Sequence, residues 1–212
     1  MHKRSLDSTV LVLNKKKSGE NFLQIELFCP KQGKILGLSR LSTKSSTKCL
    51  LDLFDIVQIN LSLPTQGTHF FINECHPILQ HHNISKNYNI FYYACHWIQI
   101  LSRNLIYVDN LDYLFSLTQK TLNAFNLSSQ PHSIYLKTLY LFLRHEGYPI
   151  KEDWLTHLPS QLLNHAIFVL KNPLIEQTTS VQILETLIQN LESWVKQNTA
   201  LLLPNLIYSY FT

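Results

Sequence analysis

Apolar and polar residues alternate through much of the first eighty residues. In the segment 56–63, every second residue from Val57 to Leu63 is apolar and the residues between them are polar, which is the period of two expected of a half-buried β-strand. Turn-forming residues follow at 64–67, and apolar residues resume at 68–75, so a hairpin is predicted. Three earlier segments separated by turns have a similar pattern, at 9–13, 22–28 and 33–39. The pattern therefore predicts five short strands.

From about residue 83 the apolar residues recur at steps of three and four, which is the period of helices. Asp109 is a candidate N-cap for one helix. Pro131 suits the first position of the next, which Gly147 and Pro149 end. Further periodic segments are 87–101, 159–170 and 181–195. About five helices are predicted, and they form a bundle.

Together the two patterns predict an α+β protein with a barrel domain at 1–80 and a helical domain at 81–212. Five short strands fit the oligonucleotide/oligosaccharide-binding (OB) barrel, with an SH3-like barrel as the alternative. The hydrophobic content of 45% and the charged content of 15% are typical of globular proteins. No export signal and no run of roughly 20 apolar residues is found. We therefore expect a cytoplasmic protein without a membrane span.

Basic residues are concentrated near the N-terminus. Residues 1–48 contain ten lysines and arginines against three acidic residues, a net charge of +7, so the other 164 residues sum to −3. This asymmetry favours a polyanion as partner of the first segment, although a basic face can also serve solubility. The candidate DNA-binding residues are Lys15, Lys16, Lys17, Lys34, Arg40, Lys44 and Lys48. The aromatic residues Phe22, Phe28, Phe70 and Phe71 either stack on bases or belong to the core.

No catalytic motif is found, and with five glycines a phosphate-binding loop has little support. We therefore predict a protein that is not an enzyme and has no cofactor. Six possible zinc ligands lie at 75–76, 81–82 and 95–96. Neighbouring residues in a strand point to opposite faces, and cysteine is common in helix cores, so no metal is expected. Because disulfide frameworks usually belong to short exported chains, free thiols are predicted.

The N-terminal motifs resemble those of the RecO recombination mediators. The resemblance covers roughly residues 8–76 and consists of a strand at 10–13, Lys17-Ser18-Gly19-Glu20-Asn21, a strand at 23–28, Gly33-Lys34 with the strand that follows, and the basic loop around Lys44-Ser45. Many members of that family have a four-cysteine zinc site in their helical part. Residues 146–154 contain no cysteine, so the resemblance implies that this zinc is absent here.

The resemblance implies a nucleoid-associated protein that binds single-stranded and double-stranded DNA and anneals complementary strands. It also implies cooperation with RecR and with the single-stranded-DNA-binding protein in loading RecA. The acidic C-terminal tail of the single-stranded-DNA-binding protein would need cations in the helical part, for which the candidates are Arg103, Lys120, Lys137, Arg144 and Lys171. The alternatives are an RNA-binding barrel module and a non-catalytic protein-interaction domain.

Overall fold

The N-terminal strands close into a barrel. The computed structural model of the protein describes residues 5–41, 51–63 and 69–204. The strands are β1 (Ser5–Ser18), β2 (Phe22–Cys29), β3 (Gly33–Arg40), β4 (Ile56–Ser62) and β5 (Phe70–Leu79). Their order around the barrel is β1-β2-β3-β5-β4, with β3 and β5 parallel and the other neighbours antiparallel. This is the OB plan, so the predicted fold class is confirmed.

Alternate residues of the strands fill the barrel. Its buried core consists of Val10, Val12, Ile25, Leu27, Cys29, Ile35, Leu51, Val57, Ile59 and Leu61. Each such aliphatic side chain contributes about 1.5–3 kcal/mol when it is fully removed from water. Gly37 also faces this interior, where a Cβ would lie only 3.0 Å from Cδ1 of Ile72. The absence of a side chain at this position therefore leaves room for the isoleucine of β5.

A β-bulge in the middle of β1 changes which of its residues point into the barrel. Val12 is paired with Leu27, whereas Asn14 is paired with Glu26, so Leu13 is an extra residue. Before the bulge the even-numbered residues of β1 point inward. Cross-strand partners lie on the same face of a sheet, and beyond the bulge Lys15 is opposite the buried Ile25. From there on the odd-numbered residues belong to the inner face.

Five α-helices follow the barrel in the described residues 69–204. They are α1 (Tyr88–Asn104), α2 (Leu111–Leu127), α3 (Pro131–His145), α4 (Ser160–Lys171) and α5 (Val181–Asn198), with a π-helical turn at Lys151–Leu155. Pro131 occupies the first position of α3, as predicted. The prediction of Asp109 as the cap of α2 is wrong. The side chain of Asn110 accepts the hydrogen bond from the backbone N–H of Tyr113 at 3.0 Å, because the helix begins one residue later than expected.

The chain divides into two compact units. The barrel unit is Met1–His82 with Leu105–Ser116, and the helical unit is Asn83–Asn104 with Leu117–Thr212. Within the barrel unit, Phe115 contacts Phe28 edge to face, with ring centroids 5.3 Å apart. The first turns of α2 therefore pack against the outer side of β2. No helix in the described part of the chain has the length and apolar character needed to cross a membrane.

The charge asymmetry of the sequence is not an asymmetry between these units. The barrel unit contains ten basic and eight acidic residues, and the helical unit contains eight basic and six acidic residues. Each unit therefore has a net charge of +2. Five acids of residues 49–212 fall in the barrel unit: Asp52, Asp55, Glu74, Asp109 and Asp112. The sum of −3 over residues 49–212 therefore does not describe the helical unit, and the position of each cation on the barrel matters more than the total.

Candidate nucleic-acid interface

A mixed basic and aromatic surface lies on the outside of the barrel near the β1–β2 turn. Lys16 is opposite Gln24, Gln24 is opposite Leu38, and Leu38 is opposite Phe71, which makes one row across four strands. In the next row Phe22 lies between Ser18 and Arg40. We call this surface the outer-face platform, and it comprises Lys16, Phe22, Gln24, Leu38, Arg40 and Phe71.

The aromatic rings of the platform contact each other and a cation. The guanidinium carbon of Arg40 lies 5.9 Å from the centroid of the Phe22 ring, within the range of a cation–π interaction. The rings of Phe22 and Phe71 have centroids 6.2 Å apart and are tilted by 52°. Both side chains are half-buried. Part of each ring is therefore accessible to a planar ligand.

The four candidate phenylalanines have different environments. Phe28 is fully buried against Phe115, and Phe70 packs against the barrel core. Phe22 and Phe71 lie on the outer face instead. Of the two alternatives left open by the sequence, the core therefore accounts for Phe28 and Phe70, while Phe22 and Phe71 have the accessibility that base stacking requires.

The three consecutive lysines of β1 do not form a single face. Lys15 donates hydrogen bonds to the carboxylate of Asp52 at 2.7 Å and to the carbonyl of Leu51 at 3.0 Å. The hydrogen bond from Lys15 lowers the pKa of the Asp52 carboxyl below its usual value, more than partial burial raises it. Lys16 points to the outer face, and Lys17 lies opposite Leu23 on the inner side near the end of the barrel. Lys16 and Lys17 are exposed and make no hydrogen bond or ion pair with any described residue.

The other predicted cations are distributed unevenly. Lys34 is on the outer face but is ion-paired with Glu26 at 3.2 Å. Arg40 is on the platform, and the register places its Cα about 12 Å from that of Lys16, given the spacing of strands and residues in a sheet. Lys44 and Lys48 lie outside the described residues. The structure thus brings Lys16 and Arg40 to one surface, and a DNA-binding role for all seven residues stays a prediction.

A chain of polar side chains runs beside the platform on β1, β4 and β5. Asn60 donates to Asp7 at 2.7 Å, Asn73 donates to Asn60 at 2.7 Å, and Ser62 donates to Asn73 at 3.1 Å. Ser62 is opposite Phe71 across the strand pair, so the chain borders the platform. Sequence reasoning missed these contacts because they depend on strand register. The Asp7 carboxylate makes this side unfavourable for a phosphate.

Several of the cysteines and histidines of the possible zinc cluster have other partners. Cys75 is disulfide-bonded, whereas Cys29 and Cys95 are free. The prediction of free thiols is therefore wrong for Cys75, because cysteine pairing depends on distances across the fold that sequence spacing does not give. His81 contacts the carbonyl of Phe54 through Nδ1 at 2.8 Å. Among the described residues, no group of three or more His, Cys, Asp or Glu side chains is arranged to hold a metal ion.

A second polar cluster is buried inside the helical unit. Nε2 of His96 lies 3.2 Å from Oε1 of Glu192, and the hydroxyl of Tyr135 donates to the same oxygen at 2.6 Å. The His96 and Glu192 side chains are 5% and 4% exposed. Burial, followed by the charge of Glu192, raises the pKa of the neighbouring Tyr92 to about 12. The three groups lie on α1, α3 and α5, so their contacts link these helices. Because the groups bond to one another away from solvent, the cluster offers no open reaction site.

No protein-family model matches this chain, and the curated proteins include no sequence similar to it. The basis for a function is therefore the barrel with its outer-face platform. OB barrels that bind oligonucleotides use the face of strands 2 and 3 together with the loops after strands 1 and 4. Phe22, Gln24, Leu38 and Arg40 lie on β2 and β3, next to the first of those loops.

Proposed function

We propose that the protein is a non-enzymatic nucleic-acid-binding protein that anneals complementary strands in the manner of the RecO mediators. The observation that carries the proposal is the position of Arg40 over Phe22 on the outer face of β2 and β3, with Lys16 and Phe71 beside them. Cations and accessible aromatic rings on one face are the two elements of a single-strand binding surface. Their occurrence on an OB barrel supports this class of function.

Each part of the platform has a distinct physical task in this proposal. Lys16 and Arg40 attract phosphates and release counterions from the strand. Phe22 and Phe71 stack with unpaired bases, and each stacked base contributes about 1–3 kcal/mol. Lys17 extends the positive charge at the same end of β1. Lys15 and Lys34 contribute less, because Asp52 and Glu26 already neutralise them.

Annealing follows from charge neutralisation. Two complementary strands repel each other through their phosphates, and a basic surface that holds both lowers this repulsion while base edges stay free to pair. Under this proposal the protein works on DNA in the nucleoid with RecR and loads RecA, as the resemblance to the RecO family implies. The same resemblance makes the acidic tail of the single-stranded-DNA-binding protein a proposed partner.

Two of the five cations suggested for that tail are already engaged within the helical unit. Arg103 donates to the carbonyl of Leu203 at 3.1 Å. Lys137 donates to the carbonyl of Asn172, and burial lowers its pKa. Lys120, Arg144 and Lys171 are therefore the better candidates for contact with an acidic peptide.

A strand-annealing assay tests the proposal. Complementary DNA strands labelled with a donor and an acceptor fluorophore are mixed without nucleotide, both bare and coated with single-stranded-DNA-binding protein. We expect the full chain to accelerate annealing and the double variant Lys16→Glu/Arg40→Glu to lose most of that acceleration. Absence of DNA binding at low salt contradicts the proposal. Equal affinity for structured RNA and for DNA favours an RNA-binding module.

A further inference from the structure

Gln24 occupies the centre of the outer-face platform. It lies between Lys16 on β1 and Leu38 on β3, and it shares a face of β2 with Phe22 two residues away, a distance of about 7 Å. Its side chain is half-buried and makes no hydrogen bond with any described residue. The amide is therefore available to a ligand that lies on the platform.

Charged groups around Gln24 restrict how a strand crosses the platform. Glu26, on the same face of β2, lies on one side of Gln24, while Phe22 and Arg40 lie on the other. The chain that ends at Asp7 borders the platform beyond Phe71. Glu26 forms a neutral pair with Lys34, and Asp7 is acidic, so phosphates follow Lys16 and Arg40 instead. A base stacked on Phe22 then directs an edge toward Gln24.

We propose that Gln24 is a specificity-determining residue of the nucleic-acid site and favours adenine by hydrogen-bonding its N6/N7 edge. The inference rests on the function proposed above. A glutamine amide offers one donor and one acceptor, which match the N7 acceptor and N6 donor of adenine. Guanine presents two acceptors on the corresponding edge, and pyrimidines offer a smaller surface to the rings of Phe22 and Phe71. Adenine is therefore the base that combines stacking with two hydrogen bonds.

This mode of contact is compatible with annealing. The N6 amino group of adenine carries two hydrogens, one on the N7 side and one on the edge that pairs with thymine, so a base bound through N6 and N7 keeps N1 and one N6–H free to pair. A contact to the pairing edge would instead compete with the complementary strand. Recognition by Gln24 would thus hold a strand in place without blocking the reaction proposed for the protein.

Fluorescence anisotropy with modified oligonucleotides tests the role of Gln24. The probes are labelled thymidine oligonucleotides in which some positions are replaced by adenine or by 7-deazaadenine, which keeps the ring system and the amino group but lacks N7. The full chain should bind the adenine probe about 3- to 10-fold more tightly than the 7-deazaadenine probe, as loss of one hydrogen bond predicts. Gln24→Met should abolish this difference.

The matched control is Gln58→Met. Gln58 is another glutamine on the outside of the barrel, but its amide accepts a hydrogen bond from Thr9 at 2.9 Å on β1 and β4, away from β2 and β3. This variant should keep the difference between the probes. Equal binding of both probes by the unmodified protein, or a difference that persists in a folded Gln24→Met variant, overturns the role of Gln24. Absence of binding to every probe overturns the proposed function itself.

Discussion

The ammonium group of Lys15 lies 2.7 Å from the carboxylate of Asp52, although Lys15 is the first of three consecutive lysines that look equivalent in the sequence. The bulge at Leu13 directs Lys15 to the inner side of β1 and Lys16 to the outer face. Two adjacent residues of the same type therefore have different electrostatic roles. Lys15 has a partner within the barrel, whereas Lys16 is available to a phosphate.

This difference predicts unequal effects of neutralising the two lysines. Lys16→Gln should reduce the slope of the logarithm of single-stranded DNA affinity against the logarithm of salt concentration by about 0.7, the value for one phosphate contact on a single strand. Lys15→Gln should change the slope less, because Asp52 already competes for its charge. Titrations between about 50 and 200 mM salt measure both slopes. Over this range, the affinity of a protein that makes several phosphate contacts falls by orders of magnitude. Equal reductions in the two variants would show that the Lys15 pair opens on binding.

Removal of the accessible ring on β2 should weaken single-strand binding selectively. Phe22→Ala is expected to lower the affinity for single-stranded DNA by about 5- to 100-fold, corresponding to the loss of one stacked base. Phe22→Leu is the matched control for packing, since it keeps an apolar side chain but has no π face. The leucine variant should bind single-stranded DNA nearly as weakly as the alanine variant does. A parallel loss of duplex binding would contradict the stacking role, because paired bases are not available to the ring.

Strict periodicity allowed accurate prediction of some elements. The predicted strand at 56–63 corresponds to β4 (Ile56–Ser62), because one of its faces is buried throughout. By contrast, the segment predicted at 9–13 is the middle of the longer strand β1 (Ser5–Ser18). Its alternation is interrupted by the bulge and its end is rich in lysine, so the pattern of apolar residues does not extend to its boundaries.

The candidate site was less accessible to sequence reasoning than the fold. Composition identified Lys16 and Arg40 as candidate cations, but it could not separate them from Lys15 and Lys34, whose acidic partners are set by tertiary contacts and strand register. Gln24 has no distinctive signal in the sequence. It gains significance only from its neighbours across β1 and β3.

The buried carboxylate of the helical unit should be important for its stability. Glu192→Ala removes the hydrogen-bond partner of both His96 and Tyr135, and each buried polar group left without a partner costs about 1–3 kcal/mol. Tyr135→Phe removes one hydrogen bond and should cost about 1–3 kcal/mol. All three tryptophans lie in the helical unit, so urea unfolding followed by tryptophan fluorescence reports on it. Similar losses in the two variants would contradict a central role for Glu192.

The stability of the helical unit should also decrease in mild acid. Burial lowers the pKa of His132, and the nearby carboxylate of Glu185, 3.6 Å away, only partly opposes this effect. The folded state therefore binds the proton less readily than the unfolded state does. This contribution to stability is fully present above about pH 6.5 and declines as the pH falls below that value. His132→Gln should flatten this part of the profile of unfolding free energy against pH, and an unchanged profile would assign the dependence to other groups.

The contact between Gly37 and Ile72 predicts a compensating pair of substitutions in the barrel. In Gly37→Ala the new Cβ would lie 3.0 Å from Cδ1 and 3.1 Å from Cγ1 of Ile72, so the Ile72 side chain must move by a few tenths of an ångström. Overpacking of this kind costs about 1–3 kcal/mol. Ile72→Val removes Cδ1 and alone should cost about 0.5–1.5 kcal/mol. If the close contact is the cause, the double variant should be more stable than the sum of the two single losses predicts, as measured by thermal unfolding followed by circular dichroism. Strict additivity would mean that the loss in Gly37→Ala has a cause other than the contact with Ile72.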